Sequence, residues 1–340
     1  MRRTLILAAA AALSTVVVAG ALAAKPPNGS STGVGTVFLP NPVAELQDQS
    51  LTDQKDADYA ALAPAYHDVT LTNLDGSGRL CGDWACIRAE TGVSAYSPTN
   101  TFRYRRDDDR FEQVMAYYWV TQAQLYLQSL GFGSELRAIN AEPQDIRINQ
   151  WGQDNSYSWD KHDILRFGKG GVDDAEDAEV ILHEYGHAVQ DSQQTPFGFG
   201  LTAESGALGE GFADYLAGTV SAHVAPTPDP ACIADWDSVS YDPTAPHCLR
   251  RLDANLHYPA DVDLTRIHRT GQIWSQALWE IRTALGPVVA DRIILEAGFH
   301  YGTSPTMPSA AAATIEVAHD LYGPATAAVV QQKFADRGLA

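Results

Sequence analysis

Val180-Ile181-Leu182-His183-Glu184-Tyr185-Gly186-His187 is the stretch on which the fold of this chain turns. Read as helix, residues four apart share a face, so His183 and His187 aim two imidazoles at one point. Glu184, one position on, stands beside them. The three apolar residues ahead of His183 give the helix a buried approach. Further upstream, Asp173, Asp174, Glu176 and Asp177 form an acidic first turn that suits the positive end of a helix dipole. Gly168-Lys169-Gly170-Gly171 closes whatever precedes it, so the helix is expected over 173–190. Its acidic start is expected to be capped and solvated. Asp173, Asp174, Glu176, Asp177 and Glu179 are also the carboxylates open to Ca2+.

Two His and a Glu form a three-ligand set for catalytic zinc that leaves a position for water. A carboxylate such as Glu184 then takes the proton of that water as it attacks a carbonyl. The third ligand should come from downstream, where Glu204 and Glu210 are both candidates. Glu210 and Asp214 lie four apart, hence on one helical face, whereas Glu204 sits near the opposite one. That spacing favours Glu210 as ligand and lets Asp214 accept the outer N–H of a ligand His.

With both motifs in view, the chain resembles the gluzincin metallopeptidases, and most closely the fungalysin family. The family's second motif reads Glu-x-Gly-x-x-Gly-Glu-Gly-Trp-Ser/Gly-Asp. Glu204, Gly206, Gly209, Glu210, Gly211 and Asp214 match it, with Phe212 in place of the Trp and Ala213 at the small position. The resemblance implies one Zn2+ per chain on His183, His187 and Glu210, Glu184 as general base, and Asp214 behind a ligand His. Ile267-His268-Arg269-Thr270-Gly271-Gln272-Ile273-Trp274 has the spacing of the family's Val-His-x-x-Gly-x-x-Trp. It makes His268 the candidate that stabilises the oxyanion, with His257 as the rival. Asn155-Ser156-Tyr157 resembles in position the edge segment that pairs with substrate backbone in thermolysin-like enzymes. The implied fold is α+β and two-lobed, as in thermolysin. Two features depart from the pattern. Residues 25–105 do not resemble the family's long inhibitory propeptide. No Tyr lies between Ala188 and Gly200 to assist the oxyanion, leaving Tyr215 or Tyr258 as substitutes.

The remaining sequence fits this outline. The 340 residues are 45% hydrophobic and 19% charged, the balance of a globular protein. Arg2 and Arg3, the apolar run Leu5 to Val18 and Ala21-Leu22-Ala23 read as a secretory signal peptide over 1–24, so a secreted protein with no membrane span after cleavage is expected. Cys81 with Cys86 and Cys232 with Cys248 are then expected as two local disulfides. The net charge of −19, or −21 once Arg2 and Arg3 are lost, excludes nucleic acid as a natural partner. Residues 25–36 read as a flexible linker and 25–110 as a β-rich region. Residues 111–220 form the lobe with the His183 helix, including helical stretches over 111–130 and near 202–217. Residues 221–340 form a mainly helical lobe that begins with a loop region over 221–262. The expected function is that of a secreted zinc endopeptidase acting, as a monomer, on a peptide or protein substrate. The competing expectation is an extracellular zinc-binding protein that keeps the fold without turnover.

Overall fold

A computed structural model of the chain describes residues 31–88, 92–193 and 202–340. The expected signal peptide lies outside the described residues. The N-terminal region contains β1 (Ser31–Val37), α1 (Pro42–Leu46), β2 (His67–Leu74), β3 (Ala85–Ile87) and β4 (Thr101–Phe102). β1 pairs antiparallel with β2 and parallel with β4. The linker expected over 25–36 is therefore corrected, because Ser31 onward is strand. Its glycines, which suggested flexibility, permit close packing. A Cβ at Gly35 would lie 2.5 Å from Val114 Cγ1 of the helix beneath.

That helix, α2 (Arg110–Ser129), carries Phe111, Val114, Met115, Trp119 and Leu127 into the core. It is apolar around most of its circumference, as a helix buried on several sides must be. A four-stranded sheet follows, formed with β5 (Gln144–Arg147), β6 (Tyr157–Trp159) and β7 (Ile164–Arg166) in the order β3-β5-β7-β6. β6 is one of the two edge strands and runs antiparallel to β7.

Three helices form the centre: α3 (Ala178–Ser192), α4 (Ala203–Val224) and α5 (Ile267–Leu285). α4 lies between the other two and is buried from Ser205 to Ser221. Small residues let the backbones approach closely. A Cβ on Gly186 of α3 would come within 2.8 Å of Ala213 Cα, and one on Gly211 of α4 within 2.2 Å of the Gly271 carbonyl oxygen of α5. α6 (Pro287–Ala297), α7 (Met307–Tyr322) and α8 (Pro324–Asp336) complete the helical C-terminal part. There Trp274 stacks on Phe334 with ring centroids 5.2 Å apart.

Two further expectations change. The segment over 221–262 is not all loop. It holds the end of α4 and an antiparallel hairpin, β8 (Cys232–Ile233) with β9 (Arg250–Arg251), bridged by the Cys232–Cys248 disulfide. Cys81 and Cys86 form the other disulfide. The acidic start of α3 is not solvated either. A short 3-10 turn, Asp174–Glu176, precedes the helix, and Asp177 caps it by accepting from Glu179 N at 2.9 Å. Asp173, Asp174, Glu176, Asp177 and Glu179 are all buried.

Gly211→Ala should destabilise the fold by about 1–3 kcal/mol, the usual cost of overpacking, despite the advantage of about 1 kcal/mol that Ala has over Gly within a helix. Urea unfolding of the variant beside the parent measures this. A more stable variant would show that the α4–α5 approach is not tight.

Candidate metal centre

α3 and α4 converge on one point. His183 Nε2 lies 3.1 Å and His187 Nε2 3.7 Å from Glu210 Oε2. One ligand atom from each of the three residues falls within 4.8 Å of the others. The two imidazole rings stand perpendicular, with centroids 4.9 Å apart. His268, on the first turn of α5, brings Nε2 to 3.2 Å from the same Glu210 oxygen and remains half-exposed at the rim. Its rival His257 faces Arg337 instead, at 3.3 Å. Glu204 is directed away and accepts from Met307 N at 3.0 Å.

Behind the centre, His183 Nδ1 is 2.8 Å from Asp214 Oδ1. Arg250 holds both Asp214 oxygens, Nε donating to Oδ2 at 2.7 Å and Nη2 to Oδ1 at 2.8 Å. Arg250 belongs to β9, so the disulfide-bridged hairpin delivers it. Nothing in the sequence singled it out, since a lone Arg in a loop-like segment has no spacing to read. Burial raises the cost of a charge on Asp214, but Arg250 and His183 outweigh it and hold the pKa at about 2. Burial likewise opposes ionisation of Glu210, yet His187 and His183 keep it well below the usual carboxylate range. Both residues are therefore anionic at neutral pH.

Glu184 is buried, and burial raises its pKa against the pull of His183 and His187. Its Oε2 is shielded from solvent and has no hydrogen-bond partner. A buried carboxylate oxygen without a donor, beside two imidazoles and a second carboxylate, suits a site built for a cation and its water. The donor set of two nitrogens and one oxygen is that of a catalytic zinc site.

Glu184, His187 and Glu210 open onto a cleft of about 360 Å³, whose wall includes Asn155, Ser156, Tyr157 and Trp159. The edge strand begins at Tyr157, two residues later than expected. Asn155 and Ser156 belong to the irregular segment before it. The Asn155 carbonyl accepts from Trp151 Nε1 at 3.0 Å, and Ser156 Oγ bonds Asp174. Of the two substitute tyrosines, Tyr215 is excluded, because it is buried and bonded to Asp291. Tyr258 lines neither cavity that reaches Glu184.

Fold and site together define a metallopeptidase of the thermolysin-like α+β type. A sequence model of the fungalysin metallopeptidase (M36) family matches residues 150–340, more than half of the chain, and the chain belongs to that family. Among solved structures, the precursor of protealysin, a metalloproteinase from Serratia proteamaculans, is similar in fold. It has a TM-score of 0.56 and 17% identity, with 90% of this chain and 99% of that chain covered. Comparison with curated proteins finds no match.

The buried acidic residues before α3 make stability depend on pH. Burial, with the neighbouring Glu176, lifts Asp173 to about 9, and burial lifts Asp174 to about 8, both from 3.8. The folded state keeps protons that the unfolded chain has released. Stability from these two groups is thus full below pH 3.8 and is lost as pH rises through 8 to 9. Asp214 acts in the opposite sense, but only below pH 3.8. In chelator, stability from urea unfolding should be lower at pH 8.5 than at pH 5.5, by up to about 1.4 kcal/mol per pH unit for each group, and Asp173→Asn should flatten the slope. A flat profile in the parent would count against neutral, buried carboxyls.

Proposed function

We propose that the chain is a secreted zinc endopeptidase in which His183, His187 and Glu210 hold one zinc ion. The observation that carries this reading is the convergence of those three side chains beside the unpartnered Oε2 of Glu184. Zinc at such a site acts as a Lewis acid and lowers the pKa of bound water to about 7. The chain's own residues supply the rest. Asp214 accepts from His183 Nδ1, which fixes the ring with Nε2 directed at the centre, and Arg250 keeps Asp214 ionised. Glu184 takes a proton from the attacking water at Oε2 and passes it to the leaving amine. Burial suits it to this task, because a carboxylate with a raised pKa is the better base near neutrality. His268 Nε2 donates to the oxyanion from the rim of the cleft. The free edge of β6 pairs with an extended substrate backbone, as exposed edge strands do.

Secretion rests on the signal-like residues 1–24 and on two disulfides, which suit an oxidising compartment. Among the described residues, no helix is long and apolar enough to cross a membrane. A calcium role for the acidic start of α3 has less support than the sequence suggested, since much of its oxygen is taken. Glu176 accepts from Arg106 Nε at 2.9 Å and from Trp236 Nε1 at 3.1 Å. Glu179 accepts from Ser221 Oγ and Ala234 N, each at 2.7 Å.

Glu184→Gln should lower kcat/KM on a quenched peptide by about 10²–10⁴-fold, the usual contribution of a general base, while zinc content stays near one per chain. His268→Ala should cost about 10²–10³-fold. Activity that survives Glu184→Gln would refute the mechanism. Metal-replete parent protein without chelator-sensitive hydrolysis would favour a zinc-binding role without turnover.

A further inference from the structure

A second cavity, of about 250 Å³, opens on Glu184 and His183 from the side of Arg250. Its polar end is acidic. One carboxylate oxygen each from Asp154, Asp174 and Asp237 lies within 4.8 Å of the others. Asp174 and Asp237 are each only 3% exposed. Asp174 Oδ1 and Asp237 Oδ1 are shielded from solvent and accept from no fixed donor, although Asp154 lies close enough to share a proton with either carboxyl. Asp174 Oδ2 accepts from Ser156 Oγ, and Asp154 Oδ1 accepts from the Tyr241 hydroxyl at 2.8 Å. Arg250 also lines the cavity, but its guanidinium is committed to Asp214.

Arg250 acts on Asp237 across the cavity, but its guanidinium hydrogen-bonds Asp214, so the gathered carboxyls outnumber the nearby cation and the grouping suits a further cation from outside the chain. The other walls decide which kind. Val180, Ile233 and Leu249 add apolar surface to the walls of the same cavity. A bare metal ion would leave those walls without a partner. A long side chain with an apolar stem and a charged tip uses both surfaces. Because the cavity reaches Glu184, a residue seated there has its backbone beside the reacting centre.

We propose that this cavity is a substrate subsite for a lysine or arginine side chain next to the scissile bond, with Asp174 and Asp237 as its specificity-determining residues. The inference rests on the peptidase reading above and adds the class of substrate to it. Burial holds Asp237 well above the usual carboxylate range while the subsite is empty, with Asp174 and Asp154 adding to the shift. An entering ammonium or guanidinium restores the charged form.

The test combines cleavage with binding. Zinc-loaded protein is given a peptide library, and the cut sites are mapped by mass spectrometry. Lys or Arg should occupy one fixed position beside the cut. A Lys peptide should exceed its norleucine counterpart in kcat/KM by at least about tenfold, the effect of 1.4 kcal/mol. Asp237→Asn, and separately Asp174→Asn, should bring that ratio toward one. Zinc-loaded Glu184→Gln, titrated calorimetrically with the same two peptides, should bind the Lys peptide more tightly by a similar factor. If the parent cleaves no peptide, the peptidase reading fails while the binding comparison still decides the subsite. Cleavage without a basic preference, or equal binding of the two peptides, overturns the proposal. So does calcium that binds the parent, blocks the Lys peptide and no longer binds Asp237→Asn, since the carboxylates would then form a metal site.

Discussion

The structure depends on how closely α3, α4 and α5 approach one another. A metal centre assembled from two helices requires a His on one and a Glu on the other to meet within hydrogen-bond range. Ordinary helix packing holds axes 8–10 Å apart, a distance set by the side chains at the contact. Gly186 against Ala213, and Gly211 against Gly271, remove the side chains that would enforce that distance. The consequence is the 3.1 Å contact from His183 to Glu210 and the 3.2 Å contact from His268 to the same oxygen. The glycines around Glu210 thus belong to the site as much as its ligands do.

The disulfide-bridged β8–β9 hairpin adds a second layer of restraint. Its Arg250 neutralises Asp214, which would otherwise be a fully buried anion, and Asp214 in turn fixes His183. A buried carboxylate shared between a guanidinium and an imidazole is stable only if both donors are well placed. The hairpin supplies that placement from a segment with little regular structure of its own.

Much of the site was legible because helical spacing is a rigid ruler. His183, Glu184 and His187, and then Glu210 with Asp214, lie where a 3.6-residue period puts them. The α+β order was equally readable from the change of period near Phe111. Three features were not. Ser31 to Thr36 looked like part of a linker because Gly, Ser and Thr mark flexible segments, and only the strand pairing and the packing of Gly35 on Val114 show otherwise. Arg250 reaches Asp214 across 36 positions, a contact no local pattern encodes. Tyr215 was one of two substitutes for the missing oxyanion Tyr, but one step along a helix from Asp214 turns a side chain by about 100°, and it faces Asp291.

The acidic residues were the most misleading, and their placement says most about how the charge is used. A net charge of −19 suggests an evenly solvated surface. Part of that acid is instead turned inward, in two groups with different consequences. Glu176, Asp177 and Glu179 are satisfied by Arg106, backbone N–H groups and Ser221, so they fix the start of α3 and the level of His183 within the fold. Asp174 and Asp237 keep oxygens that accept from no fixed donor. The same helix start therefore carries both a locked and an unlocked set of carboxylates. Asp174 and Asp237 line the cavity that reaches Glu184, and Glu179 lines it too, but with both oxygens engaged by Ser221 and Ala234.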